Sequence, residues 1–331
     1  MEKDIVDILL ATYNTNIDYL KQQLDSILNQ TYKELNIIIS DDASTNQDIK
    51  NLLKEYKEKD NRITLYLQEK NLGYIKNFEF LLEKSTAEYV AFSDHDDIWY
   101  EDKIENCIKE LKEKEVDLVY SDCKQIDKDG HVLQESYMEY KNLPKLNLKN
   151  NILTFSRHIA IGCSQVFTKK IKEQILPFDE TVMAHDWITV YLANKQNGVF
   201  YIDKPLFDYR LHNTNEFGGR SLKQNLSRWK NENGKTYKAY KKYRNERVIK
   251  KAYLDGTLMC KKYRDKLNLN KDENEEKVIN YYEKLLKTKV FNIHLKQYNN
   301  FLSYKGIGKR KIKEKMIFHF PLISYLVYLL K

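Results

Sequence analysis

The chain has 331 residues, 42% of them apolar, which is enough for one large α/β domain and a smaller unit. Its net charge of +8 is unevenly placed: residues 1–215 carry 27 Lys and Arg against 37 Asp and Glu, and residues 216–331 carry 29 against 11. Cys107, Cys123, Cys163 and Cys260 form no C-x-x-C pair and no zinc spacing, and the charged start Met1–Asp7 precedes only four apolar residues, which reads against a disulfide scaffold and a signal peptide and for reduced thiols in the cytosol.

Ile5–Leu10 is an aliphatic run and reads as a buried strand. Ile17, Leu20, Leu24, Ile27 and Leu28 then recur at helical spacing behind two capping candidates, Thr15 and Asn16. Leu35–Ser40 is a second strand, and residues 47–59 form a polar helix with Leu52, Leu53 and Tyr56 inward. Ile63–Leu67 is a strand, residues 74–85 a helix, and Tyr89–Ser93 a strand. Asp102–Lys114 is a helix with Ile104, Ile108 and Leu111 inward, and Asp117–Ser121 is a strand. This alternation predicts a doubly wound, mostly parallel α/β sheet, whose ligands bind beyond the carboxyl ends of the strands. Residues 125–160 read as irregular and polar, and Gln165–Thr168 and Val199–Ile202 as short strands. From about residue 216 the pattern is helical, basic and rich in Tyr.

Acidic residues follow strand ends at three places: Asp41-Asp42, Asp94-His95-Asp96-Asp97, and His185-Asp186 before another helix pattern. Carboxylates spaced as Asp94-x-Asp96 can share one hard divalent cation, Mg²⁺ or Mn²⁺, whose shell water and phosphate complete. A departing diphosphate needs such a counter-charge. Taken singly, each place also reads as a turn or a helix cap, Asp41-Asp42 most of all.

The set is more specific than its parts. Ala11-Thr12-Tyr13-Asn14, Gln30-Thr31-Tyr32, Asp41-Asp42, Asn71-Leu72-Gly73 with Asn77, Ser93 to Trp99, Gly162-Cys163-Ser164 and His185-Asp186-Trp187 occur in an order and spacing that resemble glycosyltransferase family 2. The resemblance covers about residues 4–215 and implies the GT-A fold, a doubly wound sheet of the nucleotide-diphospho-sugar transferase type. It implies that Ala11 and Tyr13 line the nucleotide pocket, that Asp42 accepts a hydrogen bond from a pyrimidine N–H, and that Asp94 sits near the ribose and the metal's waters. It implies that Asp96 binds Mn²⁺ or Mg²⁺ and that Asp186 is the catalytic base of an inverting transfer. Many members carry Glu before that base, where this chain has His185. The triplets and Tyr209-Arg210-Leu211-His212-Asn213 look most like a rhamnosyltransferase-like branch, which implies dTDP-L-rhamnose as donor and His212 as a further metal or diphosphate ligand. UDP-hexoses stay open. No Gln-x-x-Arg-Trp motif and no multi-span membrane region is present, unlike the processive polymerases of the family.

On this reading residues 1–215 form the catalytic domain and residues 216–331 a helical basic region. Residues 305–315 hold six Lys and Arg, and Met316–Leu330 is apolar but interrupted by Pro321 and too short to span a bilayer. The expectation is an interfacial tail over residues 305–331 that attaches the protein to the inner, anionic face of the cell membrane, near glycan or lipid-linked acceptors. A helix packed on the protein is the competing reading, and homo-oligomer formation is left open. Two other functions compete with this reading. A nucleotidyltransferase would carry a Gly-rich basic first loop, and this loop has neither Gly nor Lys. A nucleic-acid-binding protein finds support only in Tyr237, Tyr240 and Tyr243 among basic neighbours, and no nucleic acid is expected as a partner.

Overall fold

The structure, a computed structural model, describes residues 4–141, 143, 145, 147, 149–212, 242, 245 and 253–287. It divides into two units: Met1–Asn150 with Ile159–Leu211, and Asn151–His158 with His212–Lys331. The tyrosine-rich stretch at 237–243, apart from residue 242, and the tail at 305–331 lie outside the described residues.

The first unit runs β1 (Val6–Thr12), α1 (Ile17–Leu28), β2 (Leu35–Asp41), α2 (Gln47–Lys59), β3 (Ile63–Leu67), α3 (Tyr74–Lys84), β4 (Tyr89–Ser93), β5 (Ile98–Trp99), α4 (Lys103–Lys114), β6 (Leu118–Ile126), β7 (Val132–Gln134) and α5 (Tyr137–Lys141). After α6 (Ile152–Ser156), which belongs to the second unit, it continues with a 3-10 turn (Gly162–Ser164), β8 (Gln165–Thr168), α7 (Lys169–Ile175), α8 (His185–Lys195) and β9 (Val199–Arg210). The sheet order is β3-β2-β1-β4-β8-β6-β9-β5, with β7 paired to β6. Pairing is parallel from β3 through β4, antiparallel on both sides of β8, and parallel again between β6 and β9.

The order 3-2-1-4 places β1 between two parallel neighbours, so the chain reverses its direction of winding beside β1. That is where a crevice opens at the carboxyl ends of such sheets. Ile8, Leu9 and Leu10 are fully buried because helices cover both sheet faces, and so β1 reads as an unbroken aliphatic run. Asn16, not Thr15, caps α1: its side chain accepts from the backbone N–H groups of Asp18 and Tyr19. Such a cap is worth about 1 kcal/mol. Strand β9 is much longer than the expected Val199–Ile202, and residues 125–160 contain the end of β6, β7 and two short helices. The short-range pattern hid the full length of β9 because its partner strand, β6, lies far away in the sequence.

In the second unit α6 is joined by α9 (Asp255–Lys266) and α10 (Glu275–Lys287). The Tyr282 hydroxyl donates to the Ser156 carbonyl at 3.1 Å, its ring stacks on Tyr253, and Arg264 pairs with the buried Glu275.

Candidate active site

Register sets the site. Thr12 pairs with Asp41, and Leu10 pairs with Ser93, so the loops after β1, β2 and β4 leave the sheet side by side. The first two are laced together. The Asn14 backbone N–H donates to Ser44 Oγ at 2.8 Å, and Asn14 Oδ1 accepts from the Thr45 N–H at 2.9 Å. Asp41 is the capping residue of its turn, accepting from the Ser44 N–H at 3.0 Å. Asp42 is 3% exposed, and its two carboxylate oxygens accept the N–H groups of Leu72 (2.6 Å) and Gly73 (2.9 Å). A carboxylate offers about four lone-pair positions, so Asp42 keeps acceptor capacity while clamping the start of α3. Tyr13 stands 45% exposed beside these loops, and Ala11 offers its carbonyl to a ring nitrogen of His95 at 3.2 Å. His95 thus ties the third loop to the end of β1.

The third loop carries the charge. One ligand atom each from Asp94, Asp97 and Cys163 lie within 4.8 Å of one another. Burial first, then the neighbouring charge of Asp96, pushes the Asp94 carboxyl up to about 6, and Asp186 adds to the effect. Burial, Asp96 and Asp94 push Asp97 well above the usual carboxylate range. The Cys163 thiol is raised by burial and by both carboxylates. The carboxyl groups of Asp94 and Asp97 therefore meet here, with Asp96 and Asp186 acting on Asp94, and a hard divalent cation is what such oxygen donors fit. Asp96, expected as the direct ligand, is 6% exposed and acts on both neighbours, while the close trio uses Asp97 and Cys163. His212 belongs to the second unit and to neither of the two metal-competent groups among the described residues. The other group, Asp127, Asp129 and His131, is a hairpin turn in which Asp127 already accepts the N–H groups of Asp129 and His131.

Asp186 sits in the first turn of α8, 7% exposed. Its backbone carbonyl accepts from Gln165 Nε2 at 2.8 Å, and Gln165 Oε1 accepts from the Thr189 hydroxyl at 2.6 Å. The His185 ring packs on Phe78 (4.3 Å between centroids) and Phe92 (4.5 Å), anchoring the helix start in an aromatic wall. Gly162 faces Asp186 closely: a methyl group there would lie 3.5 Å from the Asp186 Cβ. Sequence reasoning gave no role to Lys103. It is fully buried, its ammonium lies 3.9 Å from the Trp99 ring centre and 4.2 Å from that of Phe207, and it donates to the Cys163 carbonyl. Burial lowers its pKa, while Cys163 and Asp97 act against that shift. It thereby holds the 3-10 turn to the start of α4.

A mostly parallel sheet of order 3-2-1-4, extended by strands on the far side of β4, is the GT-A fold. The chain belongs to glycosyl transferase family 2, whose model matches residues 7–176, and it is a glycosyltransferase. An uncharacterized glycosyltransferase of Methanocaldococcus jannaschii is 29% identical over 245 residues, 70% of this chain and 81% of that protein. The dTDP-rhamnosyl transferase RfbG of Shigella flexneri is 31% identical over 223 residues, 63% of this chain and 73% of that protein. S. aureus TarS, crystallised with UDP-GlcNAc, shares the fold with a TM-score of 0.55 and 17% identity over 97% of this chain and 79% of that one. The family match ends before Asp186.

Proposed function

We propose that this glycosyltransferase moves a sugar from a nucleoside diphosphate to a hydroxyl of a cell-surface glycan or lipid-linked acceptor, with inversion at the anomeric carbon. The observation that carries the reading is the convergence of Asp94, Asp96 and Asp97 beyond β4, with Asp186 close enough for its charge to act on Asp94. The loops after β1 and β2 bind the nucleotide: Tyr13 covers the base and Asp42 accepts its ring N–H. Asp94, Asp96 and Asp97 would hold Mn²⁺ or Mg²⁺. The bound ion supplies counter-charge to the diphosphate as it leaves. Asp186 takes the proton of the acceptor hydroxyl as the new bond forms on the opposite face, a contribution of about 10²–10⁴ in rate. One base and one leaving group on opposite faces give inversion without a covalent intermediate. The similarity to a dTDP-rhamnosyl transferase supports dTDP-L-rhamnose as donor.

The place of work is the inner face of the membrane, held by the basic and apolar residues of 305–331. Among the described residues no helix is long and apolar enough to cross a membrane. The test is a panel of nucleotide-sugars scored by thermal shift and by nucleoside diphosphate release, with Mn²⁺ and with excess EDTA. The reading expects one deoxythymidine or uridine diphospho-sugar to stabilise the protein and to turn over only with metal. Full turnover in EDTA contradicts the metal assignment.

A further inference from the structure

Arg210 ends β9, is 2% exposed, and has no part in the chemistry described above. We propose that it is a positioning residue that sets the geometry of the Asp96-Asp97 segment. Its Nε–H donates to the Asp96 carbonyl at 2.9 Å, and its own backbone N–H donates to Asp97 Oδ1 at 3.3 Å. The Asp96 carbonyl belongs to the peptide that joins Asp96 to Asp97. The first bond therefore fixes the plane from which the Asp97 backbone departs, and the second fixes the end of the Asp97 side chain. One residue references both.

The guanidinium is itself braced from two other elements. Its NH2 donates to Gln22 Oε1 of α1 at 2.6 Å, and its plane lies over the Tyr19 ring at 4.3 Å. NH1 lies 3.5 Å from the Asp127 carbonyl in the β6–β7 turn, and the Tyr19 hydroxyl donates to Lys128 of the same turn at 2.8 Å. Burying a guanidinium is costly unless its donors are used. Here they are used: one donor holds the Asp96 peptide, which an apolar core residue would leave free to rotate, and the others brace the guanidinium against Gln22 and Asp127. A lysine could not replace it, because one ammonium is a point donor and cannot serve three diverging acceptors as a planar fork does.

The proposal rests on reading Asp94 to Asp97 as the metal-holding segment, and the experiment separates the two. Mn²⁺ binding is measured by electron paramagnetic resonance, and melting in EDTA by calorimetry, for the full-length wild type, Arg210→Lys and Gln22→Leu. Gln22 is exposed, so its replacement loosens the brace from the solvent side and leaves the fold intact. Partners behind metal ligands are worth about 10–100-fold in metal affinity, so Arg210→Lys is expected to bind Mn²⁺ at least tenfold more weakly than the wild type. Gln22→Leu should bind it about two- to fivefold more weakly with an unchanged melting temperature, which decides the matter if Arg210→Lys does not fold. Wild-type Mn²⁺ affinity in both variants, or in Gln22→Leu alone if the other fails to fold, overturns the positioning role. A wild type that binds no Mn²⁺ overturns the metal reading instead, and this proposal with it.

Discussion

Asp94→Asn should make the metal-free protein more stable, not less. The carboxyl of Asp94 is raised from 3.8 to about 6, first by burial and then by Asp96. At 1.36 kcal/mol per pH unit, that difference is about 3 kcal/mol against the ionised form. The folded chain holds this proton more tightly than the unfolded chain. The group therefore favours folding below about pH 4, and that contribution is lost as the pH rises through about 6. Asp94 is only partly buried, so solvent screening leaves about 1–3 kcal/mol at neutral pH. At about 2–4 °C per kcal/mol for a domain of this size, Asp94→Asn should melt several degrees above the wild type at pH 7.5 in EDTA. The gap should shrink towards pH 4.5. Mn²⁺ should raise the melting temperature of the wild type and act little on the variant, because only a binder of the native state stabilises it. Calorimetric melts at pH 4.5, 6.0 and 7.5, with EDTA and with Mn²⁺, provide the comparison. A variant less stable than the wild type at pH 7.5, or a gap that does not change with pH, would show that the carboxylates do not strain the apo site.

Asp186→Asn should leave thermal stabilisation by the donor nearly intact while kcat falls about 10²–10⁴-fold; loss of donor binding with kcat preserved would make Asp186 a binding residue. Ala43 holds a left-handed φ of +61° in the turn after β2, where a side chain costs about 1–2 kcal/mol. Ala43→Gly relieves that cost but adds about 0.5–1 kcal/mol of backbone entropy to lose on folding, so a net gain of about 0.5–1 kcal/mol is expected, and a lower melting temperature would count against it. Deleting 305–331 should abolish low-salt flotation of the chain with anionic liposomes, each basic residue at such a surface being worth about 1 kcal/mol; equal flotation of the truncated chain would place membrane attachment elsewhere.

The fold was legible because β1, β2 and β4 are buried on both faces and flanked by helices with one apolar stripe, a pattern that local spacing records. The site was legible to the level of loops. Asp42, Asp94, Asp96 and Asp186 were picked out because carboxylates at strand and helix ends stand out in a row of letters. Which oxygens meet was not legible. Asp97 joins Asp94 because β4 passes into the short strand β5, and Cys163 joins them from a turn more than sixty residues later. Lys103 looked like an ordinary charge in a polar helix, yet its ammonium lies among Trp99, Phe207 and the Cys163 carbonyl. Arg210 likewise gains its partners from α1 and a hairpin turn, over 188 and 83 residues of sequence. Local periodicity carries no record of such pairings.

The most direct measurement is the anomeric configuration of the product. The donor that stabilises the protein is turned over with Mn²⁺ and an acceptor, and the new linkage is assigned by NMR from its anomeric proton and carbon. A linkage of configuration opposite to that of the donor, formed by the wild type and not by Asp186→Asn, is the result predicted from a single base facing a metal-held diphosphate. A retained configuration would contradict it.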